Sequence, residues 1–179
     1  MDQNLNPQPW PALEKDDAGL LEELFRILTE RAPGNPYIAG GDFAARIATL
    51  PPGLRAMAAT HWLDISLTLD SITWHFGNFG EPNLVAETEV GLKELGLHEL
   101  ASCFAEARDL MVPLLAQRKE ADGDILEILT QAGLGARGDE LDQRARALDN
   151  LGLERSVIYE AWIRYVRAHP EKVFSCEKE

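Results

Sequence analysis

The stretch from Pro52 to Phe76 constrains the fold most, because its apolar residues fit a helix covered on two sides. Placed at about 100° per residue, Trp62, Ile65, Leu69, Ile72 and Phe76 share one face, and Leu63, Leu67 and Trp74 form a second apolar strip. A helix with two apolar faces needs neighbours on both, which puts it in the middle of a domain. Leu50-Pro51-Pro52 supplies its start, since proline is tolerated in the first turn, where the missing N–H has no intrahelical acceptor.

The rest of the chain supplies helices to cover it. From Asp17, residues Leu20, Leu21, Leu24, Phe25, Ile27 and Leu28 recur at helical spacing until Pro33-Gly34-Asn35-Pro36 ends the run. A short turn of helix is expected over 43–48, and longer helices over 83–95, 98–111, 124–132, 139–150 and 153–168. Gly96 separates the first two of these, and Pro113 follows the second. Asp124 with Glu127 forms a capping-box pair, and Gly133, Gly135 and Gly138 fill the next connection. No strand-like alternation competes. The expectation is an all-α, irregular multi-helix bundle around a long central helix. It divides into an extended N-terminal segment (1–15) with Trp10 docked on the domain, a single helical domain (16–174) and a polar tail (175–179).

Charge narrows the function classes. In 179 residues, 17 Lys and Arg stand against 30 Asp and Glu, a net −13, so the chain repels phosphate backbones and anionic lipids and attracts basic proteins. Residues 51–100 hold Asp64, Asp70, Glu81, Glu87, Glu89, Glu94 and Glu99 against only Arg55 and Lys93, whereas acids and bases balance in 151–179. Direct binding of nucleic acid or membrane is therefore not expected. Cys103 lies in an apolar helical pattern and Cys176 in the tail, which is no disulfide framework, and a reducing cytoplasm fits. No apolar run reaches bilayer-spanning length, and the first residues carry no basic or apolar leader.

The residues that could carry chemistry are few. His61, Asp64, Thr68, Ser71 and His75 run as a polar line between the apolar faces of the central helix. His61 and His75 are separated by a rise of roughly 21 Å at about 1.5 Å per residue, too far for one metal, so only His61 with Asp64 could act together. No metal-ligand motif, phosphate loop or nucleophile elbow accompanies them. His98 and Glu99 read as the capped start of a helix, and Cys103 as core. No catalytic residue, cofactor or metal is expected.

Leu50-Pro51-Pro52-Gly53-Leu54-Arg55-Ala56, the helix that follows, and Trp74-His75-Phe76-Gly77-Asn78-Phe79-Gly80 resemble the core of a bacterial domain-of-unknown-function family that includes a DNA-mimic protein. The likeness continues through Glu87 to Leu97, Ala101 to Leu110, Leu148-Asp149-Asn150-Leu151, and the closing run from Tyr159 to Phe174, covering roughly 45–174. Where many members have an Asn-Gly-Gly turn, Ser66 to Ile72 reads here as continuing helix. Gly77 and Gly80 around Asn78 read as a turn.

The resemblance implies an all-helical domain without known catalytic chemistry, one member of which occupies a transcription factor's DNA-binding surface. A mimic needs carboxylates in rows, and residues three or four apart on a helix lie about 5–6 Å apart. The partner-binding candidates are accordingly Glu81, Glu87 and Glu94 in one group and Asp122, Asp124 and Glu127 in a second. The expected partner is a basic protein, such as a DNA-binding regulator or a nuclease, and a homodimer through an apolar face would extend the acidic row. Two alternatives stand beside this: an immunity or antitoxin-like protein neutralising a basic toxin, and a metal-assisted hydrolase using His61 and Asp64.

Overall fold

The computed structural model describes residues 10–37, 42–116, 124–149 and 155–174, and all regular structure among them is helical. Helices α1 (Asp17–Arg31), α2 (Phe43–Ile47), α3 (Pro52–Leu69), α4 (Ile72–Phe79), α5 (Pro82–Glu94) and α6 (His98–Ala116) are followed by α7 (Ile125–Gln131), α8 (Gly135–Asp149), α9 (Val157–Ala168) and α10 (Glu171–Phe174). None is long and apolar enough to cross a membrane. Residues 1–9 and 175–179 lie outside the described residues. The lead-in is not extended throughout, because Pro11–Glu14 form one turn of 3-10 helix, and the Trp10 ring packs 5.4 Å from that of Phe174.

Helix α3 is central, and small residues let its neighbours approach. A Cβ on Gly91 of α5 would meet Ala56 Cα at 3.1 Å, and one on Gly53 would meet the Tyr165 ring at 2.5 Å, so α5 crosses α3 on one side and α9 on another. Trp162 of α9 is fully buried against α3, and its indole N–H donates to Thr60 Oγ1 at 3.0 Å. Thr60 in turn donates to Ala56 O, so the one polar atom of the tryptophan is satisfied without breaking the helix.

The expected helix over 52–76 is two helices. Asp70, at φ −150° and ψ −94°, ends α3, and the Ser71 hydroxyl accepts from Trp74 N at 3.1 Å to cap α4. The break is held from α8: Asp142 accepts from both Thr73 N and Thr73 Oγ1 at 3.0 Å, and Arg146 donates to Asp70 O at 2.8 Å. Unsatisfied N–H groups at the start of α4 thus find an acceptor more than sixty residues away. One consequence is that Leu69, expected on a buried face, is 71% exposed.

Other boundaries differ for reasons of packing. Gly77 and Asn78 lie inside α4 and not in a turn; Asn78 donates to Trp74 O, and Gly77 is small because Ile125 of α7 would stand 2.6 Å from a Cβ there. Gly138 lies within α8 because Leu129 presses on it in the same way, so α8 begins at Gly135. Pro113 sits within α6, which runs on to Ala116. Asp124 caps α7 by accepting from Leu126 N, while Glu127 bonds Gln131 and not the cap.

Candidate functional site

Two places concentrate polar groups: a buried chain beneath α3, and an acidic corner where α4, α7 and α8 meet. The buried chain starts at His61, whose Nδ1 lies 3.0 Å from the Tyr159 hydroxyl oxygen. Tyr159 and Ser156, the residue that caps α9, stand beside Asp64 and offset part of the rise that burial gives its pKa. Asp149, at the end of α8, lies close enough for its charge and that of Asp64 to repel. Asp64 Oδ1 and Asp149 Oδ1 are buried with no hydrogen-bond partner among the described residues.

Electrostatics fixes the protons along this chain. Burial lowers the His61 pKa, keeping the ring neutral, and burial with the Asp64 charge pushes Tyr159 well above its ordinary value, keeping its proton. The contact between His61 Nδ1 and the Tyr159 oxygen is thus a hydrogen bond between two neutral groups. Burial raises Asp64, and burial followed by the Asp64 charge raises Asp149 to about 6.

His61 and Asp64 thus converge on Tyr159 and not on a shared point in open space. Among the described residues no group of three or more His, Cys, Asp or Glu side chains could hold a metal. The rest of the polar line disperses. His75 is fully buried with Nδ1 against Ser66 Oγ at 2.8 Å, and burial lowers it to about 3, while Thr68 is exposed. Cys103 is buried with its thiol directed at Leu141 O, and burial pushes its pKa up. His98 and Glu99 are exposed in the first turn of α6.

Above His61 lies a half-open groove of about 370 Å³. Helix α1 contributes Phe25 and Leu28, α2 contributes Phe43, and α3 contributes Ala58 and Trp62, with the Pro33-Gly34 turn at the rim.

The six acidic candidates are placed very differently from one another. On α5, Glu81 is the N-cap and accepts from Asn83 N and Leu84 N. Glu87 is clamped by the Arg55 guanidinium through two bonds of 2.5 Å, and Glu94 accepts from Tyr165 and from Lys172 Nζ, so both tie α5 to its neighbours. Bonding to Tyr165 and then to Lys172 holds Glu94 below the usual carboxylate range despite its partial burial. Asp122 lies outside the described residues. Asp124 and Glu127 lie on exposed positions of α7.

At the corner, Asp70, Asp139 and Asp142 line one cleft with Ser71, Leu126 and Arg146. Asp142 faces inward to Thr73; Asp70 and Asp139 form no ion pair among the described residues, and neither do Asp124 and Glu127. Ile125, wedged on Gly77, seats α7 across α4, whose two ends carry Asp70 and Glu81. Carboxylates from the end of α3 and from α8 therefore share this cleft, and Asp124 and Glu127 of α7 flank Leu126 at its edge. Sequence reasoning missed Asp139 and Asp142 as members of this group, although their i, i+3 spacing on α8 signalled a common face. Asp149 and Tyr159 left no local signal, because the contacts that matter join them to α3.

The chain's bases are mostly engaged elsewhere. Apart from Arg31, Arg146 and Arg164, every Lys and Arg side chain in the described residues sits in an ion pair. Glu106 alone binds both Arg137 and Arg144, joining α6 to α8. Neutralisation is thus internal, and the excess negative charge is carried by carboxylates outside those pairs.

Compared with known proteins, residues 48–169 match the family model described as DMP19-like protein. No curated protein and no solved structure matches the chain.

Proposed function

The chain belongs to the DMP19-like protein family, and from that premise we propose that it is a non-enzymatic protein-binding domain that acts as a DNA mimic on a basic partner. The acidic corner occupies the nucleic-acid-binding surface of that partner, a transcriptional regulator. The observation that carries the reading is the set Asp70, Asp124, Glu127 and Asp139, exposed carboxylates without ion pairs among the described residues, of which Asp70 and Asp139 line the corner cleft and Asp124 and Glu127 flank Leu126 of the same cleft. Glu81 caps α5 and is left out of the set. Glu87 and Glu94 hold α5 to its neighbours and are left out of the proposed surface.

Physically, such a surface does what a phosphate strand does. It presents fixed negative charge to Lys and Arg side chains that already sit at strand-like spacing, and rigid helices hold it there with little entropy left to lose. Leu69 and Leu126, 71% and 59% exposed, stand beside the acids and give the surface apolar contacts that a DNA backbone lacks. Recognition then combines long-range steering with short-range burial.

The test is affinity capture from a bacterial lysate at about 0.05 M salt, followed by competition. The expected partner binds duplex DNA, is displaced from this protein by that DNA, and dissociates steeply as salt rises to about 0.5 M. A partner that holds DNA and this protein together, or whose affinity ignores salt, overturns the reading.

A further inference from the structure

Helix α4 is a short unit of its own, broken from α3 at Asp70 and from α5 at Gly80 and Glu81, and the residues at its start, Asp70 and Ser71, line the cleft of the acidic corner. His75 lies in its middle. We propose that His75 is an acid trigger: it takes up a proton only when α4 parts from α3 and α6, so that a falling pH opens α4 and dismantles the cleft at its start.

The surroundings of the ring exclude a cation. His75 is fully buried, with the ring centroids of Phe76, Phe79 and Phe104 at 5.6, 5.2 and 5.7 Å from its own. Nδ1 meets Ser66 Oγ at 2.8 Å, whereas Nε2 is buried with no hydrogen-bond partner among the described residues. Whichever nitrogen carries the proton of the neutral ring, the imidazolium has an N–H on both, and the one on Nε2 finds no acceptor. Charge does not offset this: burial lowers the ring's pKa, opposed only by the Trp62 carbonyl. Helix α6 presents Phe104 to the ring, and the neighbouring Cys103 thiol turns to Leu141 O. Helix α7 sets Ile125 on Gly77, and the acid that α8 sends to α4, Asp142, is engaged with Thr73.

Opening α4 brings the ring into water, where it titrates near about 6.5. Above that pH neither form holds the proton. Below it only the opened form does, until the buried ring itself titrates at about 3. The ratio of opened to closed protein therefore rises about tenfold between about pH 7.5 and about pH 5.5. Asp142 works in the opposite sense, because burial raises its pKa and opening returns it to the ordinary range. The part due to His75 is thus read as a difference between two proteins that both keep Asp142.

Amide hydrogen exchange of the full chain, followed by magnetic resonance and expressed as protection relative to an unfolded chain, tests this. Amides of α4 should be less protected than those of α1 at about pH 5.5. The ratio of α4 protection at about pH 7.5 to that at about pH 5.5 should be about tenfold larger in the unsubstituted protein than in His75→Phe, which leaves Ser66 Oγ bonded to Trp62 O. The same ratio in both proteins, or α4 amides protected as strongly as those of α1 at the lower pH, would overturn the proposal. So would a His75 ring that titrates near about pH 6.5 while α4 stays protected. That last reading comes from the ring nitrogen shifts of the unsubstituted protein and decides the matter even if the variant fails to fold.

Discussion

On α5 every carboxylate has a partner within the chain. Glu81 caps the helix, Glu87 holds Arg55, Glu89 holds Lys93 and Arg108, and Glu94 holds Tyr165 and Lys172. At the α4, α7 and α8 corner, Asp70, Glu127 and Asp139 have no ion pair among the described residues. Both regions look equally acidic along the sequence, and they differ in what crosses over to them. Arg55 of α3, Arg108 of α6 and Lys172 of α10 reach α5 and convert its charge into contacts between helices. Arg146 reaches the corner but bonds the Asp70 carbonyl, so it ties up none of the carboxylates there in an ion pair. Net charge thus says little about a surface until the bases have been placed.

The largest expected effect separates these two roles. Asp70→Asn, Glu127→Gln and Asp139→Asn together should weaken a basic partner's binding by about a hundredfold and flatten its salt dependence, because steering and pairing are lost together. Stability should change by only about 0.5 kcal/mol, as these side chains are exposed. Glu87→Gln should do the reverse. Its side chain is only 14% exposed and doubly bonded to Arg55, so unfolding in urea should show a loss of about 1 kcal/mol with binding retained. If Glu87→Gln weakens binding as much as the corner triple, the division between the two regions collapses.

Asp142 sharpens the comparison because it stands in the corner cleft and yet serves the fold. It accepts from both Thr73 N and Thr73 Oγ1 at the start of α4, and burial raises its pKa. Asp142→Ala should cost about 2 kcal/mol, the worth of a lost helix cap with a buried donor left unpaired, while Asp142→Asn, which keeps an acceptor, should cost less. Equal midpoints for the two variants in urea would mean that α4 is held by packing alone.

That residue also shows why part of the fold was legible in the sequence and part was not. Periodicity carried the helices, since Leu20, Leu24 and Leu28 bury one stripe of α1 and the paired apolar faces of 52–76 do demand covering. It could not carry the break at Asp70. Thr68, Leu69 and Asp70 continue a helical pattern by composition, and the acceptor that makes the break favourable is Asp142 on α8. Likewise Asn78 read as a turn because glycine flanks it, whereas Gly77 is there to admit Ile125. The site behaves the same way. Local spacing joined His61 to Asp64, but the group that lies between them, Tyr159, enters from the other end of the chain. Charge along the sequence marked Asp124 and Glu127 as acidic and said nothing of Asp70 and Asp139 arriving beside them.

The smallest expected effect concerns the carboxylates that face no base and turn an unpartnered oxygen inward. Asp149 has a pKa raised to about 6, first by burial and then by Asp64, with the Val157 N–H working against both; Asp64 itself faces Ser156, Tyr159 and, through Tyr159, His61. In the unfolded chain an aspartate titrates near about 3.9. Below that pH both states hold the proton and the raised pKa costs nothing. Between about 4 and about 6 the unfolded chain loses its proton while the folded one keeps it, so stability falls as pH rises, and above about 6 the loss is complete. Asp149→Asn removes this slope. Because the side chain is only partly buried, solvent screening limits the gain to about 1 kcal/mol at pH 7, with none at pH 4. Urea unfolding of both proteins at the two pH values measures it. A difference that is the same at both would place the Asp149 charge in solvent, and with it the contrast between inward and outward carboxylates would reduce to that between α5 and the corner.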